Sequence, residues 1–374
     1  MVNSPVSSYL NTNRSSVNYF LLVGGGGVIN FQVANFLRTG QTDGQISLQF
    51  WDGYGTKANY EKSFALVPDE FTDHIDILVP NFAGELKANG SFGYRFTSAE
   101  IPSYLVGLGR SKGAAVVPMV LGSGTVANQM LLDPAKRRNF INSAVKLVQE
   151  TQSDGIMADL ESLATNTGPG LTALMKDLYA ALHPQGKLVM IAVMSKTSDS
   201  AEPWYRQFSY SDLAKYADYI QIMSYDFSYS NSAPGPIAPL DWVKKVMAYA
   251  TTQIPSQKLL LGMPSYGRTW SKSGTAWKSA PFSLTGATQT AAAYGAAIAR
   301  ETTATDPVGI PTFKYLDEKG GQWTAYYDDC QSWSEKLKLV DKYNLGGAGC
   351  WSMHWLDEGS APELYSLLKE GPGS

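Results

Sequence analysis

Eight short, apolar, β-rich runs recur along the chain, at residues 46–52 (Ile46-Ser47-Leu48-Gln49-Phe50-Trp51-Asp52), 74–81, 114–121, 154–161, 187–194, 218–225, 258–266 and 345–352. Most are separated by segments of helical periodicity. Asp133-Pro134 opens one with an N-cap residue and a proline at the first helical position. Phe140, Ile141, Ala144, Val145 and Val148 then follow the i, i+3, i+4 pattern of one buried helix face. Leu171–Leu182, Asp241–Tyr249 and Trp333–Tyr343 read as further helices. Strand–helix alternation predicts a parallel sheet, and eight units favour a closed (β/α)8 barrel over an open sheet.

The chain has 374 residues, more than the ~250 of a plain barrel and enough for two ordinary domains. Two regions absorb the surplus. Residues 1–45, rich in Ser, Asn and Gly, read as an N-terminal extension with one strand at most. Barrel strands one to seven occupy 46–266, and 329–374 carry the last βα unit. Between them, 267–328 read as a small α+β insertion, with β-like pieces at Pro311–Leu316 and Gln322–Tyr327 around Lys319-Gly320-Gly321. An Ala-rich helix is expected near Ala291–Arg300.

The chemistry concentrates in Asp154-Gly155-Ile156-Met157-Ala158-Asp159-Leu160-Glu161. Alternation on a strand sends Met157, Asp159 and Glu161 to one face, with neighbours on that face about 6.5–7 Å apart. Two carboxyls on one buried face drive their pKa values apart and keep one protonated near neutrality, which suits protonation of a leaving group. The bland alternative is a pair that makes surface contacts or caps the next helix. In a barrel the site lies at the C-terminal ends of the strands. Strand six ends there with Gln221, Met223 and Tyr225 on one face and Asp226 following. Strand seven ends Gly262-Met263-Pro264-Ser265-Tyr266-Gly267-Arg268, and strand eight ends at Trp351 above glycines.

Composition narrows the partners. With 30 basic and 33 acidic residues the net charge is −3, so no electrostatic footprint for nucleic acid exists. Aromatic residues at 12% suit stacking on sugars, although most Trp residues pack in cores; of Trp204, Trp242, Trp270 and Trp277, no more than one or two are expected to face a sugar. Cys330 and Cys350 lack metal-ligand spacing and read as two packed thiols. His74, His183 and His354 have no spacing for a metal or a triad; His354, just after strand eight, is best placed to meet a ligand. The Gly24–Gly27 run lacks the Lys-Ser/Thr of a phosphate loop. Asn89-Gly90-Ser91 reads as a turn. No apolar run reaches 18 residues, so no membrane span is expected. Val17–Leu37 is interrupted by the glycines and does not read as a signal peptide. Composition leaves the cytoplasm, another export route and a removed leader all open.

These motifs together resemble family 18 glycoside hydrolases, the chitinases and related N-acetylglucosaminidases. The DGxDxDxE signature of strand four is present except that Met157 stands for the first Asp of its DxDxE core. The MxYD signature is intact as Met223, Tyr225 and Asp226, and GxPxYGR matches Gly262 to Arg268. Trp351 matches the indole that floors the −1 sugar site. The resemblance runs from about 46 to 370. The SxGG signature of strand three is absent; Val117 to Gly124 and Tyr327-Asp328-Asp329 are closer to the spore-cortex and peptidoglycan-acting branch.

The resemblance implies substrate-assisted retaining hydrolysis of β-1,4 bonds after N-acetylglucosamine in peptidoglycan or chitin. Glu161 is implied as general acid and base, Asp159 as the group that holds the acetamido N–H, and Tyr225 as holder of the acetamido oxygen. Asp226, Gln221, Met223, Trp351, Tyr266 and Arg268 are implied to bind the sugar, although Arg268 equally suits a tie between insertion and barrel. No metal or cofactor is implied; the expected partner is a GlcNAc-containing polysaccharide, the chain a monomer, and the setting extracellular, cell-envelope or spore. Met157 can neither share a proton with Asp159 nor hydrogen-bond it, so the alternative is a weak or inactive chitinase-like lectin. Such lectins usually lose the acid Glu, and Glu161 is present.

Overall fold

The computed structural model describes residues 46–51, 56–67, 75–362, 364 and 367. The expected extension over 1–45, with its glycine run, and His74 lie outside the described residues. In chain order the strands are β1 (Ile46–Trp51), β2 (Ile77–Pro80), β3 in two segments (Ala115–Val116 and Met119–Ser123), β4 (Gly155–Glu161), β5 (Leu188–Met194), β6 (Tyr219–Met223), β7 (Leu259–Pro264), β8 (Gly267–Ser273), β9 (Ala276–Phe282), β10 (Ala299–Thr303), β11 (Asp306–Leu316), β12 (Gln322–Tyr326) and β13 (Gly347–Trp351).

Strands β1–β7 and β13 form one parallel sheet. Its order runs from the first segment of β3 through β2, β1, β13, β7, β6, β5 and β4 to the second segment of β3. The two ends are therefore the same strand, and the sheet closes into the expected eight-stranded barrel. Pro118 has no N–H to give to the ladder, which explains the break. The flanking backbone still bridges the gap: Val117 N–H donates to Leu78 O at 2.9 Å, and Met157 N–H to Pro118 O at 2.9 Å.

Alternation divides the apolar residues. Leu48, Phe50, Ile77, Val79, Met119, Met157, Met190 and Leu260 fill the barrel. Trp51, Leu78, Val120, Ile156, Leu160 and Ile222 face the helices instead. The predicted helix after Asp133 is Pro134–Thr151, and Asp133 caps it by accepting from the N–H groups of Ala135 and Lys136. None of the described helices is long and apolar enough to cross a membrane.

At the base of β4, Asp154 fastens the closure. Its carboxylate accepts from Val116 N–H at 2.9 Å and from Arg110 Nε at 3.1 Å and Nη2 at 2.5 Å. Its own N–H donates to Val116 O at 2.8 Å. Asp154→Ala leaves the buried Val116 N–H without its acceptor and the half-buried Arg110 without its carboxylate, so a loss of roughly 1–3 kcal/mol is expected. Chemical denaturation checks this; a midpoint within error of wild type contradicts it.

The insertion between β7 and β13 is a five-stranded antiparallel sheet in the order β9–β8–β12–β11–β10. One helix packs on it through Ala287 and Ala291 against Phe313, Ala325 and Tyr327. That helix spans Leu284–Ala293, not Ala291–Arg300, and residues 299–303 are strand. Ser283 sets its start by accepting from Gly286 N–H, and Gly295 at φ +59° turns the chain out of it. Arg300 then holds the β10–β11 hairpin by donating to Val308 O, Gly309 O and the Asp329 carboxylate.

Candidate active site

β4 carries Met157, Asp159 and Glu161 up the inside of the barrel. Met157 is fully buried, Asp159 is 3% exposed, and Glu161 reaches the half-open top of the strand. Asp159 lies between Leu121 of β3 and Ala192 of β5, neither of which offers a polar side chain. Its Oδ1 is buried without a hydrogen-bond partner. Burial first, then the neighbouring Glu161 charge, pushes the Asp159 carboxyl up to about 8. Glu161 is raised too, by burial and then by Asp226. Both carboxyls therefore keep protons further toward neutral pH than exposed ones do.

The chain turns sharply beyond both functional strands. Ser162, just after Glu161, has φ +51°, and Asp226, just after Tyr225, has φ +56°. These are left-handed conformations that cost a non-glycine residue roughly 1 kcal/mol or more. At Asp226 the turn brings the carboxylate to Tyr266, whose O–H donates to Asp226 Oδ1 at 2.5 Å. Asp226 is raised by burial, with Tyr266 and the Arg268 charge opposing. Tyr225 and Tyr266 are both pushed well above the usual phenol range, Tyr225 by burial and then the charges of Asp159, Asp226 and Glu161. Tyr225 thus stays a hydrogen-bond donor at any working pH.

Gln221 lies deeper. It is fully buried and donates from Nε2 to Gly349 O at 3.2 Å. A Cβ on Gly349 would come within 2.6 Å of Gln221 Oε1, so glycine there makes room for this amide. Gln221 thus sits inside the barrel below Met223 and Tyr225, its Oε1 buried without a partner. Met223 is 8% exposed, and its carbonyl accepts from Ser195 Oγ at 2.6 Å.

Trp351, half-buried, meets Phe50 at 5.0 Å between ring centroids. Ser265 anchors it from β7: its N–H donates to Trp351 O at 2.9 Å and its Oγ to Ser352 O at 2.8 Å. Tyr225, Tyr266, Trp270, Trp277, Tyr326, Trp351 and Trp355 pack into one aromatic cluster between barrel and insertion. Arg268 donates from Nη1 to Ser279 Oγ at 3.3 Å, between neighbouring strands of the insertion, while its charge opposes the rise at Asp226. Of the other tryptophans, Trp270 is buried and donates to Tyr229 O, Trp242 packs on Phe227, and Trp204 is 56% exposed. His183 stacks on Tyr179, and His354 is exposed at the edge of Trp355.

Sequence reasoning passed over two residues here. Tyr205, in the short turn Pro203–Tyr205 beyond β5, feels the charge of Glu161 and the phenol of Tyr229. Asn81, directly after β2, is 3% exposed with its Oδ1 buried and without a partner. A polar residue two positions beyond the inward Val79 was the available signal.

A family model described as "Glycosyl hydrolases family 18" matches residues 115–355. Among curated relatives, "Putative sporulation-specific glycosylase YdhD" of Bacillus subtilis (strain 168) is 30% identical over 234 residues, covering 62% of this chain and 54% of that protein. "Cortical fragment-lytic enzyme" of Bacillus anthracis is 26% identical over 235 residues, covering 62% and 53%. The chain spans about half the length of these relatives. Among solved structures, the C-terminal domain of a "putative chitinase" from Desulfitobacterium hafniense DCB-2 superposes with a TM-score of 0.84 at 36% identity, covering 87% of this chain and 99% of that one.

Proposed function

The chain belongs to glycosyl hydrolase family 18, and from that premise we propose that it cleaves β-1,4 bonds following N-acetylglucosamine in peptidoglycan or chitin. The observation that carries this reading is the Asp159–Glu161 pair, inward on one strand, buried and proton-retaining, beside Tyr225 and Trp351. Both carboxyls come from one strand, so neither stands across the bond from the other as a nucleophile must in ordinary retaining glycosidases. The substrate supplies the nucleophile instead. Its 2-acetamido oxygen attacks the anomeric carbon while Glu161 gives its proton to the departing glycosidic oxygen. Asp159 holds the acetamido N–H, and the positive charge growing on the oxazolinium ion favours its ionised form. Tyr225 O–H donates to the acetamido oxygen and keeps it in line. Asp226 and Tyr266 hold the sugar over Trp351. Water then opens the ring as Glu161 takes its proton, with net retention. A glycan substrate of this kind places the work outside the cell or in the spore envelope.

Mass spectra of products from chito-oligosaccharides and from purified peptidoglycan test the proposal. Fragments with GlcNAc at the reducing end are expected from at least one of them. Binding of both without release would favour a lectin.

Met157 sets the pace in this reading. Met157→Asp gives Asp159 a partner that shares its hydrogen bonds and proton, in a group already faced by Glu161 from β4 and Tyr225 from β6. A turnover gain of roughly 10-fold, about 1.4 kcal/mol off the barrier, is expected together with a displaced acidic limb of the pH profile. No gain and an unchanged profile would contradict it.

A further inference from the structure

Three buried side-chain oxygens in and beneath the site have no partner: Oδ1 of Asp159, Oδ1 of Asn81 and Oε1 of Gln221. The register of the barrel places the first two at one height. Along the ladder Gly349 is level with Gly262 and, one strand further, with Met223, yet it packs against the side chain of Gln221, two residues lower. Strand tilt therefore shifts the true layer by two residues for every two strands, as the shear of an eight-stranded barrel requires. The same step starts from the Phe50–Val79, Ile77–Ala115, Leu121–Asp159 and Met194–Met223 registers. It assembles one layer from Asn81, Asp159, Met223 and Trp351, one residue from each alternate strand. The layer below holds Val79, Met157, Gln221 and Gly349. Asp159 and Trp351 of the upper layer are residues on which the proposed chemistry rests, and Asn81 brings an unpartnered amide oxygen to the same layer.

Building on the role given to Asp159 above, we propose that Asn81 is its positioning residue, supplying from the same layer the hydrogen bond that Met157 cannot supply from below. An amide suits both states of a carboxyl. Asn81 Oδ1 accepts from the protonated acid, and Asn81 Nδ2–H donates to the carboxylate formed as the oxazolinium ion develops. The amide does not titrate, so it fixes direction without taking the proton. Gln221 belongs to the layer below, where it donates from Nε2 to Gly349 O.

Asn81→Leu keeps the branched shape with somewhat more bulk and removes both hydrogen-bonding atoms. Steady-state kinetics on an aryl chitobioside should show kcat lower by ~10-fold or more with KM within about threefold, the pattern of an interaction made in the transition state. In a Met157→Asp background the same change should cost less than ~3-fold, because the new carboxyl takes over the bond; this non-additivity is what a merely structural residue would not produce. Asn81→Ser and Met157→Asn serve where the first variants do not fold. An unchanged kcat, or an equal loss in both backgrounds, overturns the proposal. If wild type turns over and Glu161→Gln does not, a silent Asn81→Leu defeats this inference alone; a wild type without turnover defeats the parent reading and this one with it.

Discussion

Glu161→Gln is expected to abolish release of sugar while leaving binding in place. Gln matches the shape of Glu and keeps an acceptor oxygen, but it has no proton to give near neutral pH. General acid–base catalysis contributes about 10²–10⁴-fold. Here one group acts in both steps, so a fall in kcat of ~10³-fold or more is expected. Affinity for chito-oligosaccharide, read from tryptophan fluorescence, should stay within a few-fold, because Trp351, Tyr266 and Asp226 are untouched. A variant that keeps a tenth of wild-type turnover would place the acid elsewhere.

Asp159→Asn should move activity and stability in opposite directions. Asn cannot balance the oxazolinium charge, so kcat is expected to drop ~10²-fold or more. Stability follows the proton. Asp159 titrates at about 8 in the folded chain and near 3.9 when unfolded. Between these values the native state holds a proton that the unfolded state has released, so stability falls as pH rises from about 4 to about 8. The Asn variant has no such proton to lose. Its melting temperature should match wild type near pH 4 and exceed it by roughly 3 °C or more at pH 8. A variant less stable than wild type at pH 8, or a difference independent of pH, would contradict the burial argument.

Elements specified locally were legible in the sequence. Asp133-Pro134 announces its helix because cap and proline act on their own first turn. The period of two in β4 places Met157, Asp159 and Glu161 on one face whatever the remainder of the chain does. Composition misled where a local rule competed with another: alanines around Ala291–Arg300 suggested a helix there, but Ser283 and Gly295 confine it to Leu284–Ala293, seven residues earlier at each end. Long-range placement was the least legible. Gln221 shares a face with Met223 and Tyr225, as alternation requires, yet its depth depends on the glycine at 349, 128 residues away. Asn81 joins Asp159 only through the tilt of all eight strands.

The most direct test of the account is the anomeric form of the first product. Proton NMR during the first minutes after mixing the chain with a chito-oligosaccharide or a soluble peptidoglycan fragment distinguishes the two outcomes. Attack by the acetamido group followed by water gives the β-anomer first, with the α-anomer appearing only by mutarotation. An α-anomer at the outset would mean that water strikes the opposite face directly, which two carboxyls on one strand were not expected to arrange.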